Sequence, residues 1–493
     1  MSTLERVSLS DIQSIPEGEE QYPIEFIERN RALKISEDDE SVRIGLCNPA
    51  DQELRSTLQH FHRKKISFHY LDPADLAGYL SQKLSGIERG DVQQPLSGDE
   101  KLLLDRLAND APIVNLVNSI FIDAIRQEAS DIHFEIFGAH MIVRYRIDGI
   151  LRTARQLDQA RFRAVSTRIK IMANMNIMES RMPQDGRITV HLAGGEIDMR
   201  VSIVPIADGE SIVLRIFDKN KTPLQMEDLG MSRYDINRLE HVSGLPNGLI
   251  LATGPTGTGK TTTLNAVLHR IKNETLKIIS IEDPIEYVNT GVNQIQTNDA
   301  IGLSFSTLLR RVLRQDPNII LVGEIRDEET AELAVRAALT GHLVLSTIHT
   351  NDALSVTTRL MNIGIEPYLI GAVLRASIAQ RLVRRLCVDC RERVDIPARE
   401  AELFSRYEVE AEALYEPKGC ASCHQTGYSG RVGLFELFVP DKDAESMIVS
   451  NAGEDALRVH AAKTGLKSLM IDGLTKAADG ITTVSEVEKV VTT

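Results

Sequence analysis

Nowhere in these 493 residues does an apolar run approach the roughly 20 residues needed to cross a bilayer. The first residues, MSTLERVSLSDIQ, lack the basic stretch and apolar core of a secretory signal. The expected compartment is therefore the cytoplasm, with no transmembrane segment and any membrane connection made through a partner protein. Excess positive charge is missing too: the formal net charge is -14 and the pI about 5.4. Aromatic residues make up only 4% of the chain, and no basic-aromatic channel stands out. Both features weigh against a nucleic-acid motor, and no nucleic acid is expected as partner, although a local basic groove is not excluded by net charge. Cysteine is scarce: there are five, four of them in two close pairs, which in a cytosolic chain suggests metal ligation and not disulfides. What the chain has in ordinary amount is apolar content, 42%, enough for most of it to fold. A chain of this length exceeds one core and implies roughly two to four domains.

One stretch orders the rest. Gly254-Pro255-Thr256-Gly257-Thr258-Gly259-Lys260-Thr261 follows the apolar run Gly248 to Ala252 and precedes a helix expected over Thr262 to Ile271. Strand, glycine-rich loop and helix in this order form the Walker A pattern. The glycines let successive N–H groups turn inward around a phosphate, and the helix start adds free N–H groups and a positive dipole end. Lys260 has the reach for the β and γ phosphates, and the Thr261 hydroxyl suits Mg²⁺. The reading is a site for a nucleoside triphosphate.

Before this stretch, residues 1–82 read as a small α/β unit suited to docking. Val42 to Leu46 alternates like a strand, residues 50–60 suit a helix with Asp51 near its start, and the basic-aromatic run Phe61 to Tyr70 reads as a half-buried strand. Cys47 is expected as a buried structural thiol. Residues 83–105 are polar and glycine-rich, a linker. Residues 106–240 read as an α+β domain. It has a helix over Pro112 to Glu128 and a strand over Ser130 to Ile136. A further strand from Met141 to Ile147 runs into the turn Asp148-Gly149, and a helix covers Arg161 to Ala173. Pro183 to Arg187 reads as a turn, followed by strands near 187–193, 196–204 and 211–217. Arg144, Arg146, Arg200 and Arg215 lie on these strands. They read equally as a solvated sheet face or as guanidinium groups facing phosphate across a domain or subunit boundary.

After it, residues 241–380 read as the nucleotide-binding core. Lys277 to Ile281 is an apolar strand ending in Glu282-Asp283-Pro284-Ile285-Glu286. Asn318 to Val322 leads to Gly323-Glu324, and Leu343 to Ile348 leads to His349. Such strand ends, beside the glycine-rich loop, are where an open parallel sheet places its site. Further on, Cys387 and Cys390 are followed after 29 residues by Cys420 and Cys423. Two C-x₂-C knuckles give four soft ligands suited to tetrahedral Zn²⁺, and four thiolates leave no open position, so the metal is expected to be structural. Arg381, Arg384 and Arg385 just upstream are candidates to offset thiolate charge or to meet a neighbouring subunit. Residues 381–435 are taken as this module and 436–493 as a helical subdomain.

GPTGTGKTTT at 254–263, IEDPIE at 281–286, LVGEIRD at 321–327 and TGHLVLSTIHTND at 340–352 stand in one order, together with ASDIHFE, VRYRIDG, QDGR and LRRVLRQDP. In this the chain resembles the secretion ATPase superfamily, the motors of type II secretion and type IV pili. The tetracysteine insert favours assembly-type over retraction motors, and the chain length, with one short N-terminal domain, is most similar to the type II secretion assembly ATPases, with pilus assembly ATPases as the alternative. The resemblance implies a RecA-like P-loop ATPase core, preceded by an α+β, PAS-like domain and a small N-terminal docking domain. It implies ATP and Mg²⁺ held by the loop Gly254 to Thr262, with Lys260 on phosphates and Thr261 on magnesium. Glu324 would act as general base or water-orienting group. Glu282, Asp283 and Glu286 match the family's aspartate box, His349 its histidine box, and Arg200 and Arg215 the arginines that the preceding domain offers to the nucleotide. The family forms homohexamers attached at the inner membrane through the cytoplasmic domain of a platform protein, which residues 1–82 would meet.

Overall fold

Alternating apolar residues set the strands of this protein, and the pairing of those strands divides it. The computed structural model describes residues 6–7, 22, 27, most of 30–76, and residues 110–192, 195–218 and 224–491. Residues 1–99 and 100–493 form separate compact units. The linker expected over 83–105 lies outside the described residues.

In the first unit β1 (Ala32–Glu37), β2 (Ser41–Leu46) and β3 (Lys65–Tyr70) form one sheet, antiparallel between β1 and β2 and parallel between β2 and β3. Helix α1 (Gln52–Phe61) makes the crossover. Its N-cap is Asp51, whose carboxylate accepts from Leu54 N at 2.9 Å. Only the second half of the basic-aromatic run is strand: Phe61 ends α1, His62 caps it, and β3 begins at Lys65, with the Arg55 guanidinium 4.8 Å over the Phe68 ring. Cys47 is half-buried, and burial pushes its thiol pKa up.

The second unit opens with α2 (Ala111–Arg126), Pro112 in its first turn. Six antiparallel strands follow in the order β6-β5-β4-β9-β8-β7: β4 (Asp131–Phe137), β5 (His140–Ile147), β6 (Ile150–Asp158), β7 (Gln184–Leu192), β8 (Gly195–Ile206) and β9 (Gly209–Asp218). Helix α3 (Phe162–Met172) and α2 cover this sheet with a core that includes Ile120, Phe121, Phe134, Met141 and Ile169. The expected turn at Asp148-Gly149 joins β5 to β6, both residues at positive φ, 50° and 84°. The expected turn at 183–187 is not one: Gln184 begins β7. Gly186 sits in that strand because a Cβ there would come within 2.7 Å of Ala173 O at the end of α3. Gly186→Ala is therefore expected to destabilise the unit by about 1–3 kcal/mol, read as a lower denaturant midpoint.

The larger sheet has seven strands. They are β10 (Gly248–Thr253), β11 (Ile278–Glu282), β12 (Asn293–Gln296), β13 (Ile319–Val322), β14 (Leu343–Ile348), β15 (Leu374–Leu386) and β18 (Tyr428–Phe438), with β16 (Arg391–Val394) and β17 (Leu414–Pro417) a separate hairpin. The order is β12-β11-β13-β14-β10-β15-β18, parallel throughout except for the final pair. Alternate residues go to opposite faces: Leu249, Leu251, Ile320 and Val322 to one core, Ile250, Ala252, Ile319 and Leu321 to the other. Helices α4 (Arg233–Ser243), α5 (Lys260–Ile271), α6 (Phe305–Val312) and α7 (Glu328–Leu339) make up these layers, an α/β, RecA-like arrangement. The sheet continues past residue 380 through Leu386 and takes in Tyr428 to Phe438, so boundaries at 380 and 435 both fall within its strands. The expected helical end is present as α8 (Lys442–Val449), α9 (Glu454–Lys463), α10 (Leu469–Ala478) and α11 (Val484–Val491). Among the described residues no helix is long and apolar enough to cross a membrane.

Candidate nucleotide site and tetracysteine cluster

β10 is buried at all six positions, so the chain leaving its end is fixed in place. The loop that follows carries Gly254, Gly257 and Gly259 at φ of 141°, 80° and 85°. A Cβ on Gly254 would meet Gln380 O at 2.6 Å, and one on Gly259 would meet Gln380 Nε2 at 2.9 Å. The loop is pressed onto β15, and only glycine fits at either point. Pro255, Thr256 and Gly257 form the exposed crest, while Thr258 is buried with its hydroxyl on Pro255 O at 2.9 Å. Helix α5 starts at Lys260, two residues before the expected start, so Lys260, Thr261 and Thr262 occupy its first turn.

Lys260 is buried, and its Nζ donates to Gly254 O at 2.7 Å and Pro255 O at 3.0 Å. Desolvation pulls its pKa below the ordinary lysine value, opposed by Glu324 and reinforced by Arg381. An ammonium held in a dry loop by neutral carbonyls, at a helix N-terminus, fits a bound polyphosphate.

The register of the sheet gathers the other strand ends here. Thr253 pairs with Ile348, Val322 with Ser346, and Ile281 with Val322. Glu282, Glu324 and His349 therefore stand along the edge that the loop occupies. Glu324 is ion-paired to Arg326 and lies 3.8 Å from His349 Nε2. Thr347 Oγ1 donates to Gly323 O at 2.7 Å, and Ile325 N to Thr347 O at 2.9 Å, which pins the turn carrying Glu324. Glu282 is buried. Glu286 is raised in pKa by burial first and by Glu282 second, with Arg215 and Arg200 opposing.

The four strand arginines separate into two pairs. Arg144 forks onto Glu135 at 2.6 and 2.7 Å, and Arg146 lies 3.4 Å from Asp131. Arg200 and Arg215 are ladder partners on β8 and β9. Burial lowers the pKa of Arg200, and Asp283 and Glu286 act on it in the opposite sense. Arg215 bonds Asp131 at 3.1 Å with most of its side chain exposed. Arg200 also lies 5.3 Å over the Phe217 ring, so the link of these two arginines to the aspartate box is one of charge and not of direct contact.

Arg381 is not at the cysteines. β15 lies beside β10, so Arg381 sits under the loop, donating to Gln380 O at 3.1 Å, Asn351 O at 2.9 Å and Val490 O at 3.1 Å. Arg384 forks onto Glu486 at 2.9 and 2.7 Å and stacks 3.8 Å over Tyr428. Ser280 and Gln294 bond Glu282, and Asn289 and Asn265 continue the chain of bonds beyond Gln294; single polar residues on strands and loops carry no motif that a sequence would show. A cavity of about 680 Å³ between α3 and the start of β9 is not this site: its buried Lys170 is already paired with Glu210 at 2.6 Å.

The four cysteines of the knuckles converge with all sulfurs within 4.8 Å of one another. Three pairs lie at 3.7–3.8 Å, about the edge of a tetrahedron with metal–sulfur bonds of about 2.3 Å and far beyond a disulfide. Burial pushes the Cys387 and Cys390 thiols up, whereas the N–H groups of Cys420 and Gly427, with the Cys420 and Cys390 thiols, outweigh burial at Cys423 and bring it down to about 6. The cluster fits a zinc ion.

A family model described as Type II/IV secretion system protein matches residues 106–489, and one described as MshEN domain matches residues 2–89. The type II secretion system protein HxcR of Pseudomonas aeruginosa is 44% identical over 407 residues, 80% of this chain and 83% of the relative. Type II secretion system ATPase E of Vibrio cholerae is 44% identical over 382 residues, 78% of this chain and 76% of the relative. The type IV pilus assembly ATPase PilB of Myxococcus xanthus is 38% identical over 496 residues, 98% of this chain and 88% of the relative. Among solved structures, the Legionella pneumophila ATPase DotB is alike in fold, with TM-score 0.59 at 20% identity over 76% of this chain and 95% of that one. The pilus retraction motor PilT with bound ADP gives 0.53 at 25%, over 75% and 95%. A match over most of the chain and identities above 40% lead to one conclusion: the chain belongs to the Type II/IV secretion system protein family of ATP-hydrolysing motors.

Proposed function

We propose that this chain is a cytoplasmic ATP-hydrolysing motor that powers protein export by a type II secretion system, driving pseudopilus assembly through an inner-membrane platform. The observation that carries the reading is the meeting of Lys260, Glu282, Glu324 and His349 at one sheet edge, with the charge of Arg200 coupled to Asp283 and Glu286 and that of Arg215 to Glu286. Phosphoryl transfer is mainly positioning and charge stabilisation. The loop Gly254 to Thr262 wraps the phosphates, and Lys260 offsets charge on their oxygens. Thr261, in the first turn of α5, would hold Mg²⁺, which would supply charge neutralisation for the phosphates. Glu324 aligns or deprotonates the attacking water, with Glu282, Asp283 and Glu286 assisting, and His349 senses the γ-phosphate. Arg200 and Arg215, on the PAS-like domain, contact the nucleotide in the closed state. Loss of the γ-phosphate weakens that contact and lets the domain turn. The working form is a homohexamer, residues 1–82 dock on the platform's cytoplasmic domain, and the tetracysteine module carries structural Zn²⁺.

Arg215→Ala tests the coupling. In the assembled oligomer it is expected to cut phosphate release about tenfold or more while costing no more than about 1 kcal/mol of stability. Unchanged turnover makes Arg215 a surface residue. Added DNA or RNA is expected to leave hydrolysis unstimulated. One observation favours pilus assembly instead: the pilus assembly relative aligns with 98% of this chain, its first unit included. Deleting the gene in its host separates the two, since loss of exported proteins supports secretion and loss of surface pili supports pilus assembly.

A further inference from the structure

The carboxylates at the strand ends are held differently. Glu324 is paired with a cation, Arg326. Glu282 is held by neutral donors, and both reach the same oxygen. Ser280 Oγ donates to its Oε1 at 2.6 Å and Gln294 Nε2 to the same Oε1 at 3.0 Å. Its Oε2 is buried and has no partner among the described residues. A buried charged oxygen without a donor is costly. Directing two donors to one oxygen and none to the other makes sense where Oε2 receives a water or a cation in the working state.

The register explains the convergence. Ser280 is the ladder partner of Gln294 across β11 and β12, and Ser280 and Glu282, two residues apart, share a face. Gln294 also donates to Tyr287 O at 2.8 Å and accepts from Asn289 N at 2.7 Å, so it closes the loop between the two strands. Asn289 then donates to Asn265 Oδ1 at 2.7 Å, and Asn265 to Thr261 O at 2.9 Å. The hydrogen bonds run unbroken from Glu282 to the first turn of α5. Ser280, Glu282, Asn289 and Asn265 are all buried and Gln294 is half-buried, so solvent has little access to these bonds except at Gln294.

We infer that Gln294 and Ser280 are positioning residues for hydrolysis: they orient Glu282 with Oε1 saturated and Oε2 open, while Asn289 and Asn265 tie that carboxylate to the helical turn bearing Thr261. The inference rests on the proposed role of Glu282 at the nucleotide.

The test uses the full chain with Ser280→Ala and Gln294→Met, alone and combined with Glu282→Gln. Each single variant is expected to lose kcat on the order of 10–100-fold, as outer partners of a working carboxylate do. The KM for ATP is expected to change less than about threefold, because the loss falls on the chemical step. Ser280→Thr keeps the hydroxyl and is expected to restore most of the turnover. With Glu282 already replaced by glutamine, neither change lowers kcat further, since both act through that carboxylate. If Glu282→Gln loses turnover while Ser280→Ala and Gln294→Met keep it, the inference falls and the role of Glu282 stands. Losses that simply add in the double variants also overturn it, since they mark a general structural effect. Normal turnover by Glu282→Gln sinks the role and the inference together. Should Gln294→Met fail to fold, Ser280→Ala decides alone, as it removes one oxygen from a buried strand.

Discussion

Lys260→Ala abolishes ATP turnover and leaves the sheet folded. Both halves of this expectation follow from where the side chain sits. Its Nζ bonds only to Gly254 O and Pro255 O in the hydrogen bonds described, both in the loop itself. The loop is held independently by β10, by the contact of Gly254 and Gly259 with Gln380, and by the Thr258 hydroxyl. Truncation therefore leaves two carbonyls at a half-open crest, where water can replace the ammonium, and α5 keeps the bond from Thr263 Oγ1 to Gln380 Oε1 at 2.6 Å. The chemistry has no such substitute. In a partly buried site a fixed positive charge acts more strongly than in water, and removing one stabilising group of this kind costs about 10²–10³ in kcat. Loss of the charge that holds the phosphates in line adds to that. Phosphate release by the purified chain measures the effect, and a thermal melt of the same sample checks the fold. Hydrolysis at the normal rate would falsify the assignment of Lys260.

The parts of this site legible in the sequence are those whose chemistry is local. A glycine-rich loop between an apolar strand and a helix states its own backbone geometry, and Gly254, Gly257 and Gly259 all adopt positive φ. Met141 to Ile147 alternates and ends at Asp148-Gly149, so strand and turn are readable from neighbours alone. What escaped depends on contacts between distant segments. β15 pairs with β18 from Ser377↔Phe438 to Leu386↔Tyr428. The arginines and glutamine along β15 hide a strand whose partner, β18, lies beyond the last of the four cysteines. Arg381 drew attention as a basic neighbour of the cysteines, yet lies under the phosphate loop because β15 is the neighbour of β10. Gly186 looked like part of a turn because Gln-Asp-Gly has turn composition; its reason is the backbone of α3 pressed against β7. Gln294 and Ser280 matter only through register, which no single segment contains.

The tetracysteine cluster closes a junction between distant strands, and its loss is expected to be felt well beyond the module. Cys387 follows directly on the last residue of β15, and Cys423 lies shortly before β18. Cys387 N also donates to Gly427 O at 2.9 Å, so the metal site joins the ends of two strands of the main sheet. Just beyond, Gly430 N donates to Asp148 Oδ2 at 3.1 Å, which ties the same corner to the hairpin of the arginine-bearing sheet. Cys420→Ser removes one of four soft ligands, and the remaining three leave an open, weaker site. The purified chain is expected to carry about one zinc ion and the variant close to none. By comparison with a cross-link closing a loop of this length, the stability cost is about 3–5 kcal/mol. Partners remain at the corner: Arg384 on Glu486 and Tyr428, and the pairing of β16 with β17. The variant should therefore fold at low temperature and melt earlier, with turnover reduced less than in Lys260→Ala, because no cysteine reaches the phosphate loop. Metal content by mass spectrometry, beside calorimetry on the same preparation, decides the matter. A variant that keeps its full zinc complement contradicts ligation by four thiolates, while one that loses zinc without a lower melting temperature shows that the protein corner holds without the metal.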